Sequence, residues 1–424
     1  MLLMMVGVLV VLLFLRVPVA FSLLIPSLIY FTIEGRTAIN VLVQQTIAGV
    51  NSFPLLAVPL FIMLGNVVNV TGIADRLFEA ATAVFGRVRG SLGYVNVFTS
   101  FAFAWMSGSA LGDAAALGKV QVPAMVRRGY SEGFTVGVTA SAALIAPIIP
   151  PSIPAIILAV TASISVGSLF IAAIVPGLLL VTVLCLCVWV YARKREDLRL
   201  PRTPMAQRVR TAAGGIPALG AGVIILGGIL AGVVTPTEAA AAGVAYMLVL
   251  ALFYKQLGWG NIKAILTTTV ETVGAVLLIV APAALFGWIL AREQAPQKAA
   301  ELITSFTSDP IVFLVLVNLL LLFVGALIDP VAAILILVPV LWPVAMVMQI
   351  DPMHFGMVIV FNLMLGLLTP PVGLVLFVLS NVTNIPVKRI IKGVVPFYIP
   401  MLAVLALITA VPALTTWLPG LLGF

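Results

Sequence analysis

Apolar runs succeed one another along the whole chain, separated by short stretches that carry proline, glycine and most of the basic residues. Many of the runs reach the roughly 20 residues a helix needs to cross a bilayer. In lipid only helices and closed barrels satisfy every backbone polar group. The pattern therefore predicts an all-α polytopic membrane protein, a single integral domain over residues 1–424 with no soluble domain. The first run has no Lys or Arg ahead of it, so it reads as a retained span rather than a signal peptide.

Composition narrows the function classes. Hydrophobic residues make up 62% of the chain and charged residues 8%, too few to build a soluble surface. The net charge of +8 resides in short loops, as expected of a membrane protein's cytoplasmic side, and is no sign of nucleic-acid binding. Cys185 and Cys187 lie two apart in one apolar run. They point to different helix faces, so neither a disulfide nor a metal pair is expected. No nucleophile–base pair, nucleotide loop or metalloprotease pattern occurs.

Two carboxylates break the apolar pattern. Asp113 stands in Ser107-Gly-Ser-Ala-Leu-Gly-Asp and Asp329 in Gly325-Ala-Leu-Ile-Asp-Pro, 216 residues apart. A carboxylate at membrane depth costs about 2.5–3.5 kcal/mol on the lenient insertion scale. Each is followed at +10 by a proline, Pro123 and Pro339, and later by a double proline, Pro150-Pro151 and Pro370-Pro371. Pro18 and Pro236, Pro59-to-Gly65 and Pro282-to-Gly287, and Val175-Pro176 and Val395-Pro396 extend the series, with offsets of 216 to 223. The chain reads as a duplicated unit: repeat 1 at about 1–192, a linking loop at about 193–212 and repeat 2 at about 213–424.

Loop charge predicts that the two units are inverted. Arg193, Lys194, Arg195, Arg199, Arg202, Arg208 and Arg210 mark one loop as cytoplasmic. Arg87 and Arg89 precede the Asp113 segment and Arg127 and Arg128 follow it, whereas the flanks of the Asp329 segment carry no basic residue. One segment enters from inside and the other from outside, as in many secondary transporters. The expected count is about five spans plus one re-entrant hairpin in each repeat. The transport core falls at about 91–165 and 310–382, and both termini are periplasmic. Residues 38–52 and 255–265 read as interfacial arms.

The double prolines complete a candidate site. A helix cannot continue through Pro147-Ile-Ile-Pro150-Pro151 or Thr369-Pro370-Pro371, and the freed carbonyls need partners. Ser107, Gly108, Ser109 and Asp113 facing the carbonyls of Pro147 and Pro150 would make an oxygen site. Gly325 and Asp329 facing Gly366 and Thr369 would mirror it. Carbonyls, hydroxyls and a single carboxylate suit Na⁺ and not a transition metal. Ser109, Pro151, Ser152, Thr369 and Pro370 would line the place of a substrate carboxylate.

Ser107-Gly-Ser-Ala-Leu-Gly-Asp-Ala-Ala-Ala, Pro123-Ala-Met-Val-Arg-Arg-Gly-Tyr130, Val234-Thr-Pro-Thr-Glu-Ala-Ala-Ala241 and Leu368-Thr-Pro-Pro-Val-Gly373 resemble the large membrane subunit of tripartite ATP-independent periplasmic (TRAP) transporters. The resemblance covers essentially the whole chain. It implies an elevator-type, Na⁺-coupled importer of organic acids such as dicarboxylates or sialic acid, in a bacterial or archaeal inner membrane. It also implies two partners, a small four-span membrane subunit and a periplasmic substrate-binding protein. The chain starts on the large subunit's first span, which predicts that the small subunit is a separate chain. Where the family's first tip more often has Ser and Ala, this chain has Ala110 and Gly112.

Other residues read more plainly. His354 is expected in a solvated loop, and Glu238 near a helix start. Arg292 and Lys298 fall on the predicted periplasmic side and are candidates for docking a binding protein. Two alternatives remain: a stand-alone Na⁺- or H⁺-coupled anion transporter, and an intramembrane catalytic pair of Asp113 with Asp329.

Overall fold

Proline and short polar side chains set the helix starts. Asp309, Asp329 and Asp351 each precede a proline, and each accepts a hydrogen bond from the amide two residues on, at 2.7, 2.8 and 2.8 Å. An acceptor at the cap followed by proline is a strong start signal, because the first helical residue has no use for an N–H. Thr235 and Glu238 form a capping box around Pro236. Ser109, Ser131, Ser152 and Ser165 cap their helices through their hydroxyls.

The computed structural model describes residues 1–35, 39–200 and 204–423; Arg202 and residue 38, singled out above, lie outside them. Regular structure there is helical. The first half comprises α1 (Leu2–Phe14), α2 (Val19–Glu34), α3 (Ile39–Val50), α4 (Ala57–Val70), α5 (Ile73–Phe85), α6 (Ser91–Ser107), α7 (Ala110–Arg127), α8 (Glu132–Ala143), α9 (Ile153–Ala162) and α10 (Val166–Ala192). The second comprises α11 (Met205–Leu230), α12 (Pro236–Phe253), α13 (Trp259–Arg292), α14 (Ala295–Phe306), α15 (Pro310–Gly325), α16 (Pro330–Val347), α17 (Pro352–Gly366), α18 (Leu374–Thr383), α19 (Val387–Ala410) and α20 (Ala413–Leu422). α11 starts inside the stretch read from its charge as a linking loop. Arg208 there donates to the carbonyls of Ala83 and Val84, so its charge serves the packing of α11 on the end of α5.

From the hairpins to α10 and α19 the two halves match element for element. The hairpin α6–α7 corresponds to α15–α16, the broken pair α8/α9 to α17/α18, and α10 to α19. α7 packs on α18 and α16 packs on α9; α4 packs on α12 and α13 on α2. The inversion follows from where α10 ends and α19 begins. Tyr191 and Arg195, at the end of α10, bond Ser131 and Gly129, and Arg389, at the start of α19, pairs with Glu132. α10 therefore arrives at the turn from which α19 departs, and the matched helices run in opposite directions. The expected second arm is not a separate element: residues 259–265 are the first turns of α13, a single helix of 34 residues.

Seven stretches among the described residues are long and apolar enough to cross a membrane unbroken, one of which is the hairpin arm α16. The other expected crossings are α1, α2 and the two broken pairs, whose proline breaks divide them into short helices. The broken pairs are the most enclosed elements. Every residue is buried from Thr135 to Ala143 and from His354 to Gly366. α8 and α19 meet through glycine: a Cβ on Gly137 or Gly393 would run into the opposing backbone. Such close approach is how helices gain packing energy where lipid offers no hydrophobic drive.

Candidate functional site

The first hairpin turns at Gly108, which adopts a left-handed conformation with φ 59°. Ser109 then caps α7, its hydroxyl accepting from the Gly112 amide at 3.2 Å. Ser107 Oγ donates to Asp113 Oδ1 across the turn. Asp113 is fully buried, and its Oδ2 has no hydrogen-bond partner. The tip rests on the break between α8 and α9: a Cβ on Gly108 would lie 2.5 Å from the carbonyl oxygen of Pro151. In that break the amides of Ile148 and Ile149 both turn back to the Ile145 carbonyl, and Pro147, Pro150 and Pro151 bring no N–H. The Pro150–Pro151 peptide is cis. Ser107, Gly108, Ser109 and Asp113 thus share one tip, against a break that contains Pro147, Pro150, Pro151 and Ser152.

Ser152 differs from expectation. It is wholly buried; its hydroxyl donates to the Pro147 carbonyl at 2.5 Å and accepts from the Ala155 amide at 3.2 Å. Both roles are taken by the break itself, so the side chain holds the site's shape and has no proton left for a substrate. Pro151 is buried as well, whereas Ser109 is partly exposed.

The second tip is built differently. Gly325 closes α15 against Gly366 at the end of α17, where a Cβ on Gly366 would lie 2.5 Å from the Gly325 carbonyl carbon. The amide of Val372, past the break, donates to the Ala326 carbonyl at 3.2 Å, tying tip to break through the backbone. Thr369 Oγ1 donates to Leu365 O at 2.9 Å, and Tyr398 donates to Leu368 O. Thr369 is partly exposed, and Pro370 and Pro371, joined by a cis peptide, are exposed. The second break lies open where the first is sealed.

The two aspartates are not equivalent. α7 and α16 superpose in sequence at an offset of 220, Ala110–Arg127 on Pro330–Val347. At that offset the mate of Asp329 is Ser109, and each is the cap of its helix. Asp113 falls one turn further in, opposite Ala333. Pairing them by letter misses that a hydroxyl and a carboxylate both serve as caps. No hydrogen bond among the described residues joins the two carboxylates: Asp113 bonds Ser107 and Asp329 bonds the Val331 amide.

Arg292 pairs with Glu34 at 2.5 Å and lies over the Trp288 ring, and Lys298 donates to the Glu293 carbonyl at 2.9 Å. Tyr30 donates to Glu293 at 2.7 Å, so this end of α2 and α13 forms one polar cluster. His354 is buried and not in a solvated loop; its Nδ1 lies 3.1 Å from Thr415 Oγ1, which fastens α20 to the start of α17. Sequence reasoning passed over several buried amides. Asn96 donates to Thr139 at 2.7 Å, and Asn362 to Asn318 Oδ1 at 2.7 Å. Both polar atoms of Gln121 are buried without a partner. The signal was available, since each is a lone amide inside an apolar run.

Comparison with known proteins bears on the family and on the fold. The model of a family described as "Tripartite ATP-independent periplasmic transporter, DctM component" matches residues 6–414. The sialic acid TRAP transporter large permease protein SiaM of Vibrio cholerae is 41% identical over 97% of this chain and 97% of its own. The C4-dicarboxylate TRAP transporter large permease protein DctM of Pseudomonas aeruginosa is 36% identical over 88% of this chain and 87% of its own. Among solved structures, the Alcanivorax borkumensis YdaH transporter superposes with a TM-score of 0.60 at 16% identity, over 88% of each chain, a likeness of fold.

Proposed function

Because the chain belongs to the DctM component family of tripartite ATP-independent periplasmic (TRAP) transporters, we propose that it imports an organic acid by Na⁺ symport. The relatives carry sialic acid or C4-dicarboxylates in their names, so the proposed cargo is a carboxylate of that kind. The observation that carries Na⁺ coupling is Asp113: a buried carboxylate with an unpartnered Oδ2, on a hairpin tip pressed against a proline break. The ion would be held there by Ser107, Gly108, Ser109 and Asp113 with the carbonyls of Pro147 and Pro150. A second ion would be held by Gly325, Asp329, Gly366 and Thr369. All these donors are oxygen, and among the described residues no His/Cys/Asp/Glu cluster suited to a transition metal occurs.

The substrate carboxylate would meet Ser109 at one tip and Thr369 with Pro370 at the other. The hairpins and broken pairs would move as one block against α1–α4 and α11–α13, an elevator. Each Na⁺ driven inward gains about 2.3 kcal/mol per 100 mV, so two ions offset the electrical cost of a dianion. A small four-span membrane subunit and a periplasmic binding protein complete the proposed assembly in a bacterial or archaeal inner membrane. By the positive-inside rule the end carrying Arg89, Arg195 and Arg389 is cytoplasmic and both termini are periplasmic.

The test is uptake in proteoliposomes containing both partners. Accumulation is expected to follow the Na⁺ gradient and to require the binding protein. Uptake unchanged without Na⁺ would sink the coupling. Uptake without the binding protein would indicate a stand-alone transporter. Asp113→Asn removes a charge while keeping shape, and is expected to weaken Na⁺ dependence sharply. Asp329→Asn keeps a good helix cap. Loss of Na⁺ dependence in that variant supports a ligand role, and normal transport reduces Asp329 to a cap.

A further inference from the structure

A groove of about 1010 Å³ runs along the outer side of α10 and α19 and over the start of α8. On α19 it extends from Arg389 to Leu407. At 1.5 Å per residue this is about 27 Å of helix, close to the roughly 30 Å of a bilayer's hydrocarbon core. The wall is apolar for most of that length. Its charged groups, Glu132, Arg389 and Lys392, gather at one end, next to the Tyr191 hydroxyl.

That end carries net positive charge. Arg389 pairs loosely with Glu132 at 3.3 Å, with Arg389 largely exposed. Lys392 has neither an ion pair nor a side-chain hydrogen bond among the described residues. Lys388, exposed one turn earlier on α19, adds to the field. A strip of hydrocarbon ending in unpaired cations has the chemistry of a lipid site. Basic pockets at the cytoplasmic ends of membrane helices bind anionic head groups. Small residues that suit a close helix seam, Gly133, Gly393 and Ala403, stand beside Leu179, Val183, Leu186 and Leu407 in this wall, so the charge gathered at its end is what favours a lipid.

We propose that the groove binds an anionic glycerophospholipid, its phosphate at Lys392 and Arg389 and an acyl chain along α10 and α19. The occupant would press on the α8–α19 seam, because Gly133 and Gly393, which form that seam, also line the groove. Since α8 leads directly into the first proline break, the lipid would steady the sealed tip.

Cys187 lines the groove and supplies a probe. In a Cys185→Ser background, Cys187 is labelled with a fluorophore in the full chain, in nanodiscs of phosphatidylcholine. Brominated phosphatidylglycerol and brominated phosphatidylcholine are then compared as quenchers. Brominated phosphatidylglycerol is expected to be about 30-fold more effective per mole, from Lys392 and Arg389 at about 1 kcal/mol each. Lys392→Gln is expected to erase most of that preference. Glu132→Gln is expected to increase it, by freeing Arg389. Native mass spectrometry of the unlabelled protein, counting retained phosphatidylglycerol, guards against interference from the label. Equal quenching by the two lipids, or a preference indifferent to both substitutions, overturns the proposal. So does loss of quenching on adding the small membrane subunit, which would give the groove to a protein helix.

Discussion

Alanine at Gly108 is the sharpest probe of how the first tip works. Two costs fall on it together. Gly108 has φ 59°, where an L-residue loses about 1–2 kcal/mol. Its Cβ would lie 2.5 Å from the Pro151 carbonyl oxygen, with backbone on both sides and no flexible end to give way. Overpacking of that sort costs about 1–3 kcal/mol. The sum, about 2–5 kcal/mol, lowers the docked population of the tip by about 30-fold to a few thousand-fold at 1.4 kcal/mol per decade. Gly112→Ala is the control in the same hairpin. Its nearest neighbours would be Ser109 Cβ at 3.5 Å and Oγ at 3.6 Å, which is ordinary contact. Inside a helix, alanine gains about 0.5–1 kcal/mol over glycine. Uptake against external Na⁺, in proteoliposomes with both partners, is the assay, with thermal melting in detergent as the check on folding. Gly108→Ala is expected to lose uptake and to melt a few degrees below wild type, still as one cooperative transition; Gly112→Ala is expected to keep both. Wild-type uptake by Gly108→Ala, or equal damage from the two, would refute the docking of tip on break.

Four further outcomes are expected. Gly366→Ala places a Cβ 2.5–2.7 Å from Gly325 backbone atoms, whereas Gly325→Ala meets nothing closer than 3.3 Å; the first is expected to abolish uptake and the second to reduce it modestly. Gly137→Ala drives a Cβ into the Gly393 carbonyl, and is expected to lower the melting temperature through about 1–3 kcal/mol of overpacking. Ser152→Ala removes the cap of α9 and its bond to Pro147; about 1 kcal/mol of stability should go, with the substrate concentration for half-maximal uptake unchanged if Ser152 only shapes the break. The Arg195 guanidinium bonds Asp197 and holds its carboxyl below the ordinary carboxylate value. A depressed folded pKa contributes stability above the unfolded value of about 3.9 and loses it as pH falls further, so amide protection factors in residues 194–199 should fall below about pH 4 in wild type but not in Arg195→Gln.

Much of this architecture is legible before any coordinates. Lone carboxylates, doubled prolines and the asymmetry of basic loops are coarse signals, and each reports something lipid punishes: a buried charge, an unpaired carbonyl, a cation on the wrong side. What escaped was finer. The pairing of Asp113 with Asp329 matched letters, whereas the helices align Ser109 with Asp329, because the cap position is kept and its chemistry is not. Ser152 read as a free donor because sequence cannot show that Pro147 O and the Ala155 amide already use its hydroxyl. His354 read as solvated because the helix that buries it, α20, lies about 60 residues further along the chain and past another crossing.

The unequal tips bear on how such a site could discriminate its states. At the first tip the break is sealed, the carboxylate is fully buried, and of Ser107, Gly108, Ser109 and Asp113 only Ser109 reaches partly outward. At the second, Pro370 and Pro371 are exposed, and a backbone bond from Val372 to Ala326 ties the tip to the break. A charge held deep, with one oxygen unpartnered, gains strongly from a cation beside it. An exposed break with Thr369 at its edge gains more from a ligand that covers it. The inverted repeat therefore supplies two similar scaffolds and two different appetites. On the proposed function, the first would favour ion before substrate, because a substrate carboxylate approaching Ser109 would otherwise meet the charge of Asp113 one turn away. Order of binding would then follow from the one-turn displacement between Asp113 and Asp329, without any further device.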